Sequence, residues 1–311
     1  MENNSVGFQK LKLSRILVIA ALLLITSYSA YTINGVLVSN APPAVVFTLG
    51  SAYRDVTYCN SQTLDLYIPS VAVSQPLPLA IYVHGGGLTS GDKDDINPVF
   101  LNSLASAGIA VASVNYRLAP LYKFPAQIED LKCAIRYLRD HAQAYGLNGS
   151  EIFTFGTSSG GELVALAALT GGRSAFDVGQ YLNESSRIMA AVDMFGPANL
   201  TEYAGYSGSD LFRGFGDNFT DEVLASPTHF VSSNAPPILI IHGINDTSVP
   251  KSQSIELYND LKAAGVQTQL VLVQNMGHMF VQVGPQPIAP SAAQLAQDMV
   301  SFFERYMTRG G

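Results

Sequence analysis

"FTFGTSSGGELV", residues 153–164, sets Gly156, Ser158 and Gly160 at alternate positions between an apolar run and a helix-like run. In a chain with 27 glycines the bare G-x-S-x-G pattern is a weak signal, and on its own it reads equally well as a glycine-rich turn with an idle serine. Its setting is more informative. "EIFTF" (151–155) has the β-branched and aromatic content of a short strand, and "GELVALAAL" (161–169) has the alanine and leucine content of a helix. A strand, a tight turn and a helix in that order place the middle residue on a strained bend. Small neighbours are then needed where the two backbones approach, and the serine hydroxyl is pushed into the open. Ser158 is therefore a candidate nucleophile.

The alternation continues on both sides. Strand-like runs are "LDLYI" (64–68), "PLAIYVHG" (78–85), "GIAVASVNY" (108–116), "RIMAAVDMF" (187–195), "PPILIIHG" (236–243) and "QLVLVQN" (269–275), with helix-like runs between most of them. Several, such as "ILII", are apolar on both faces, which suits a parallel sheet covered on both sides. The predicted fold is α/β, an open, doubly wound, mostly parallel sheet with helices on both faces. Residues 199–233 break the pattern, being rich in glycine and aromatics without a clear period. Tyr203, Tyr206, Phe212, Phe215 and Phe219 there either line a pocket or cover the sheet edge.

The chain has 311 residues, 48% of them hydrophobic and only 13% charged, which supports a sizeable core. A net charge of −7 with no basic cluster after the first fifteen residues excludes nucleic acid as a partner. At the amino terminus, Lys10, Lys12 and Arg15 precede "ILVIAALLLITSYSA" (16–30), a basic flank followed by an apolar run and small polar residues. This reads as an export segment, either a signal peptide cleaved before Ala30 or an uncleaved anchor extending to about Val38 that attaches the protein to a membrane and faces it outward. The expected organisation is an export segment at 1–30, a linker at 31–44 and one catalytic domain at 45–311. The two cysteines, Cys59 and Cys133, are not evidence of a bridge by their even number. Cys133 lies in the helical run "IEDLKCAIRYLRDHA", where a buried free thiol is an equally good reading.

A nucleophilic serine needs a base, an acid that orients the base, and donors for the developing oxyanion. Among the five histidines, His278 in "VQNMGHMF" follows the last strand by a few residues and falls at a carboxyl edge, where ligands of such sheets bind. His141 reads as a solvated helix residue and His242 as a structural hydrogen-bonding residue; His229 has no assigned role. Asp246, in "HGINDTSVP", follows the preceding strand in the same way, with Asp193 in "AVDMFGP" as a second choice for the acid. The order Ser158, Asp246, His278 is that of the α/β-hydrolase arrangement. "YVHGGGLTSGD" supplies the donors: His84-Gly85-Gly86-Gly87 directly follows a strand, and the amides of Gly86 and Gly87, with that of Ser159, would form an oxyanion hole.

With these motifs the chain resembles the hormone-sensitive-lipase-like and feruloyl-esterase-like (BD-FAE) branch of the α/β-hydrolases, from about Val56 to Tyr306. "VNYRLAP" (114–120) and "FPAQIEDLKCAIRYLR" (124–139) add to the likeness. The resemblance implies ion pairing between Arg117 and Asp130, triad roles for Ser158, Asp246 and His278, and oxyanion roles for Gly86, Gly87 and Ser159. It also implies a serine carboxylesterase acting on small-molecule esters without metal or cofactor. An exopeptidase on the same fold and a non-catalytic binding domain are the alternatives. The elbow departs from the family in reading "GTSSGG", as do Leu88 after HGGG and Met279 after the histidine; these two flexible apolar residues suit a small acyl group.

Overall fold

A computed structural model describes residues 30–33, 36–39, 49–70, 76–172, 176–203 and 219–308. The chain divides into two units, residues 1–47 and 48–311. In the first, Ala30–Ile33 and Val36–Ser39 pair as an antiparallel hairpin that, apart from Ala30, falls in the stretch read as a linker, 31–44. Of the stretch read as an export segment, 1–30, all but Ala30 lies outside the described residues.

The second unit contains an eight-stranded sheet. Its strands are β1 (Leu49–Thr57), β2 (Thr63–Pro69), β3 (Leu77–Val83), β4 (Ala110–Val114), β5 (Leu147–Thr157), β6 (Ala191–Met194), β7 (Ile238–Gly243) and β8 (Thr268–Val273). The spatial order is β1-β2-β4-β3-β5-β6-β7-β8, with β3 to β8 parallel and β2 antiparallel to both of its neighbours. All seven predicted strands are present, within a few residues of their expected limits. The eighth, β1, has no signature in the sequence because it is an exposed edge with two register shifts that break its alternation.

The principal helices are α1 (Pro98–Ser106), α2 (Ala126–Asp140), α3 (Ser159–Leu169), α4 (Ser252–Ala263) and α5 (Ala292–Glu304). They cover the sheet on both sides. Leu79, Ile81 and Val83 of β3 pack with Ile128, Leu131, Leu163 and Leu257 from α2, α3 and α4. Ala80 and Tyr82, pointing the other way, pack with Phe100, Leu104, Leu295 and Phe303 from α1 and α5. Burial on both faces is why these strands read as continuous apolar runs. Arg117 and Asp130 pair as expected: Arg117 donates to the Asp130 carboxylate through Nε at 2.8 Å and through its amide at 2.9 Å.

Cys59, in a short 3₁₀ turn after β1, and Cys133 on α2 form a disulfide, with both residues buried. The sequence left this pairing open because the partners are 74 residues apart and only the packing of the edge segment onto α2 brings them together. A loop of that length is worth about 4 kcal/mol in the chain-entropy description. Reduction, or paired Cys59→Ser and Cys133→Ser replacement, is expected to lower the calorimetric Tm by several degrees. An unchanged transition would mean that the bridge adds nothing to stability.

Candidate active site

β5 runs into α3 with Ser158 alone between them, at φ 54° and ψ −124°, a conformation rarely tolerated by a side chain. Close approach of two backbones imposes it. A Cβ on Gly160 would lie 2.1 Å from the Val83 carbonyl, and one on Gly156 2.3 Å from that of Gly160. The Ser158 amide donates to the Met194 carbonyl at 2.9 Å, and the Glu162 amide donates to the Ser158 carbonyl at 3.1 Å. The bend is therefore clamped by β6 on one side and α3 on the other.

The carboxyl ends of β7 and β8 bring Asp246 and His278 to this bend. His278 Nδ1 lies 2.7 Å from Asp246 Oδ2, and its Nε2 lies 2.9 Å from Ser158 Oγ. A carboxylate only accepts, so Nδ1 carries the proton and donates to Asp246, leaving Nε2 free to accept the serine hydroxyl. The Phe195 ring packs edge-on against the imidazole, 5.1 Å between centroids. Asp246 Oδ1 accepts the amides of Ser248 at 2.8 Å and Val249 at 2.9 Å. Burial by itself would raise the Asp246 carboxyl, but hydrogen bonds from His242, His278 and the Val249 amide outweigh it and hold the group well below the usual carboxylate range.

His242 is buried and structural, as expected. Its Nε2 donates to the Val249 carbonyl at 2.9 Å, and its Nδ1 accepts from Ser254 Oγ at 2.7 Å. Asp193, the second choice for the acid, is fully buried, and its Oδ1 accepts the Gly196 amide at 2.9 Å rather than reaching His278. Burial pushes its carboxyl up to about 6, against the pull of the Gly196 amide and His242.

Gly86 and Gly87, at φ 114° and 61°, curl the loop after β3 toward the elbow. A Cβ on Gly86 would lie 2.2 Å from the Ser90 carbonyl oxygen, so that position admits only glycine. In the turns of the described residues the amides of Gly86, Gly87 and Ser159 are not spent on backbone acceptors. Ser159 opens α3, whose amino end favours negative charge. The buried His84 ring stacks on Tyr116 at 4.2 Å beneath this loop, where desolvation lowers its pKa below the ordinary histidine value. Leu88 is fully buried and belongs to the core, so of the two residues expected beside an acyl group only Met279 is exposed.

Sequence reasoning missed Phe195 and Glu162. A single aromatic after a strand, or a single acid on a helix, carries no signal of what it will face. Of the irregular region's aromatics, Tyr206, Phe212 and Phe215, and the side chains of Tyr203 and Phe219, lie outside the described residues.

A family model for BD-FAE matches residues 64–261. The chain belongs to the BD-FAE family. Among similar proteins, esterase LipC of Mycobacterium tuberculosis is 28% identical over 251 residues, covering 76% of this chain and 61% of LipC. Esterase LipQ of the same organism is 30% identical over 223 residues, covering 68% of this chain and 52% of LipQ. The chain thus spans about half to three fifths of the length of the curated relatives it matches. Among solved structures, a truncated carbohydrate esterase from gut microbiota superposes with a TM-score of 0.74 at 30% identity, covering 84% of this chain and 97% of that one. The family's fold is the one described above, with the sheet order reversing beside the Ser158 elbow.

Proposed function

We propose that the chain is a serine carboxylesterase for short-acyl esters. The observation that carries this reading is the unbroken hydrogen-bond path from Asp246 through His278 to a serine held on a strained bend, from residues 32 and 120 positions apart in sequence. Ser158 Oγ attacks the ester carbonyl carbon as His278 Nε2 takes its proton, and the amides of Gly86, Gly87 and Ser159 receive the oxyanion. The C–O bond then breaks, the alcohol leaves with the proton returned by His278, and an acyl-serine remains. Water, deprotonated by the same nitrogen, releases the acid and restores the hydroxyl. Asp246 holds the imidazole in the required tautomer and stabilises its cation. The names of LipC and of the gut carbohydrate esterase, both esterases, support the same reading. The test is turnover of nitrophenyl esters beside aminoacyl anilides; cleavage of the anilides alone would make the chain a peptidase.

Because His278 must be neutral to accept the serine proton, kcat/KM is expected to rise from mildly acidic to neutral pH. A flat profile over that range would remove His278 as the base. Gly86→Ala forces a Cβ into the Ser90 carbonyl and displaces an oxyanion donor, so kcat is expected to fall by about 10²–10³-fold. A fall of less than threefold would remove Gly86 from that role.

The apolar side chains on the His278 loop, Met279, Val281 and Val283, are 48%, 59% and 41% exposed and form an open rim. A long acyl chain laid there would remain partly in water and gain little. The expected preference runs from acetyl to hexanoyl, without activation at a lipid surface. A steady rise of kcat/KM toward palmitate, or a jump when substrate forms an emulsion, would make the protein a lipase. The basic-then-apolar amino terminus and the Cys59–Cys133 bridge both support a site of action outside the cytosol.

A further inference from the structure

Behind the elbow lie two acids that this reaction does not use. Glu162 is the fourth residue of α3 and Asp193 the third of β6, and both are 0% exposed. Neither oxygen of Glu162 has a hydrogen-bond partner among the described residues, and Asp193 Oδ2 has none either. The two residues share one compartment. A Cβ on Gly161 would lie 2.3 Å from Asp193 Oδ1, and one on Gly196 would lie 2.5 Å from both that oxygen and the Glu162 amide nitrogen.

The titratable groups facing the pair are each other, Tyr116 toward Glu162 and, beyond Asp193, His242 on β7; among the described residues neither carboxyl has a Lys or Arg partner. Two carboxylates sealed from water with a single donor between them do not both stay charged. Burial, and after it the neighbouring Asp193, push the Glu162 carboxyl well above its ordinary range. Asp193 holds the one donor, the Gly196 amide, so it is the member better able to carry charge.

The compartment touches the reacting groups through its walls. Met194, next to Asp193, accepts the Ser158 amide, and Phe195 packs on the His278 ring. His242, near enough to Asp193 to interact with it electrostatically, has its Nε2 3.5 Å from Asp246 Oδ2. Met194, Phe195 and His242 thus connect the surroundings of Asp193 to the three members of the hydrogen-bond path.

We propose that Glu162 and Asp193 hold one proton between them at neutral pH, carried by Glu162, and that the single charge left on Asp193 favours the imidazolium form of His278, making the pair positioning residues for the base. The second half rests on the esterase reading; the first does not.

Infrared spectroscopy at neutral pH tests the proton directly, because a protonated carboxyl has a carbonyl stretch that a carboxylate lacks. The unaltered chain is expected to show that band, and Glu162→Gln to lose it. Absence of the band, or its persistence in Glu162→Gln, would overturn the shared proton whether or not the protein hydrolyses esters. For the second half, Asp193→Asn removes the charge behind the base, so the acid limb of the kcat/KM profile is expected to move toward lower pH by roughly half a unit. A merely structural role would lower the rate and leave the limb in place, and that result would overturn the electrostatic role alone. An unaltered chain without esterase activity but with the infrared band would sink the proposed reaction and leave the proton assignment standing.

Discussion

Ser158→Ala is expected to abolish ester turnover, by about a millionfold, while leaving the fold unchanged. The hydroxyl makes a single side-chain hydrogen bond, to His278 Nε2, so its loss orphans one histidine nitrogen that is near solvent and breaks no core contact. The strained bend is held by backbone bonds to Met194 and Glu162, which alanine keeps, and alanine suffers at φ 54° much as serine does. Circular dichroism and Tm should therefore match those of the unaltered protein while the rate falls to background. More than a few per cent of residual activity would place the nucleophile elsewhere.

Asp246→Asn is expected to cost about 10⁴-fold in kcat, less than loss of the serine. The asparagine amide can present an N–H to His278 Nδ1, which then accepts, so the proton moves to Nε2 and the imidazole can no longer take the serine proton. Asp193→Asn leaves that hydrogen bond intact, and its effect on the rate at the optimum should be far smaller. A larger loss at Asp193 than at Asp246 would transfer the acid's role. The two variants also differ in acid stability. Asp246 has a depressed folded-state value, so it adds stability above the ordinary carboxylate range, about pH 4, which is lost as pH falls further. Asp193 is raised, up to about 6, so its burial costs stability as pH climbs from about 4 through that value. Asp246→Asn should therefore flatten the acid side of a Tm-against-pH curve, and Asp193→Asn the stretch from there toward neutrality.

Much of the site was legible because its parts are local. An elbow is a strand, a bend and a helix within a dozen residues, and the glycines at 156 and 160 are demanded by contacts that arise wherever a chain turns so sharply. The glycines after His84 follow from the same physics. Parallel strands buried on both faces display themselves as apolar runs, which made the interior of the sheet readable, whereas β1 was not, because an exposed and bulged edge carries no period.

By itself, then, the sequence determined the fold class, the nucleophile's bend and the strand ends from which an acid and a base must come. The sequence preferred Asp246 to Asp193 as the acid, and tertiary structure shows which of the two carboxylates reaches His278. Asp193 and Asp246 stand at the ends of adjacent parallel strands, and no local pattern reveals that one carboxylate turns to His278 while the other turns beneath α3. The pairing of Cys59 with Cys133, and the enclosure of Glu162 beside a second acid, were decided in the same way. Propensity and periodicity act over a few residues, whereas side-chain distance across a sheet depends on how segments far apart in the chain are laid together.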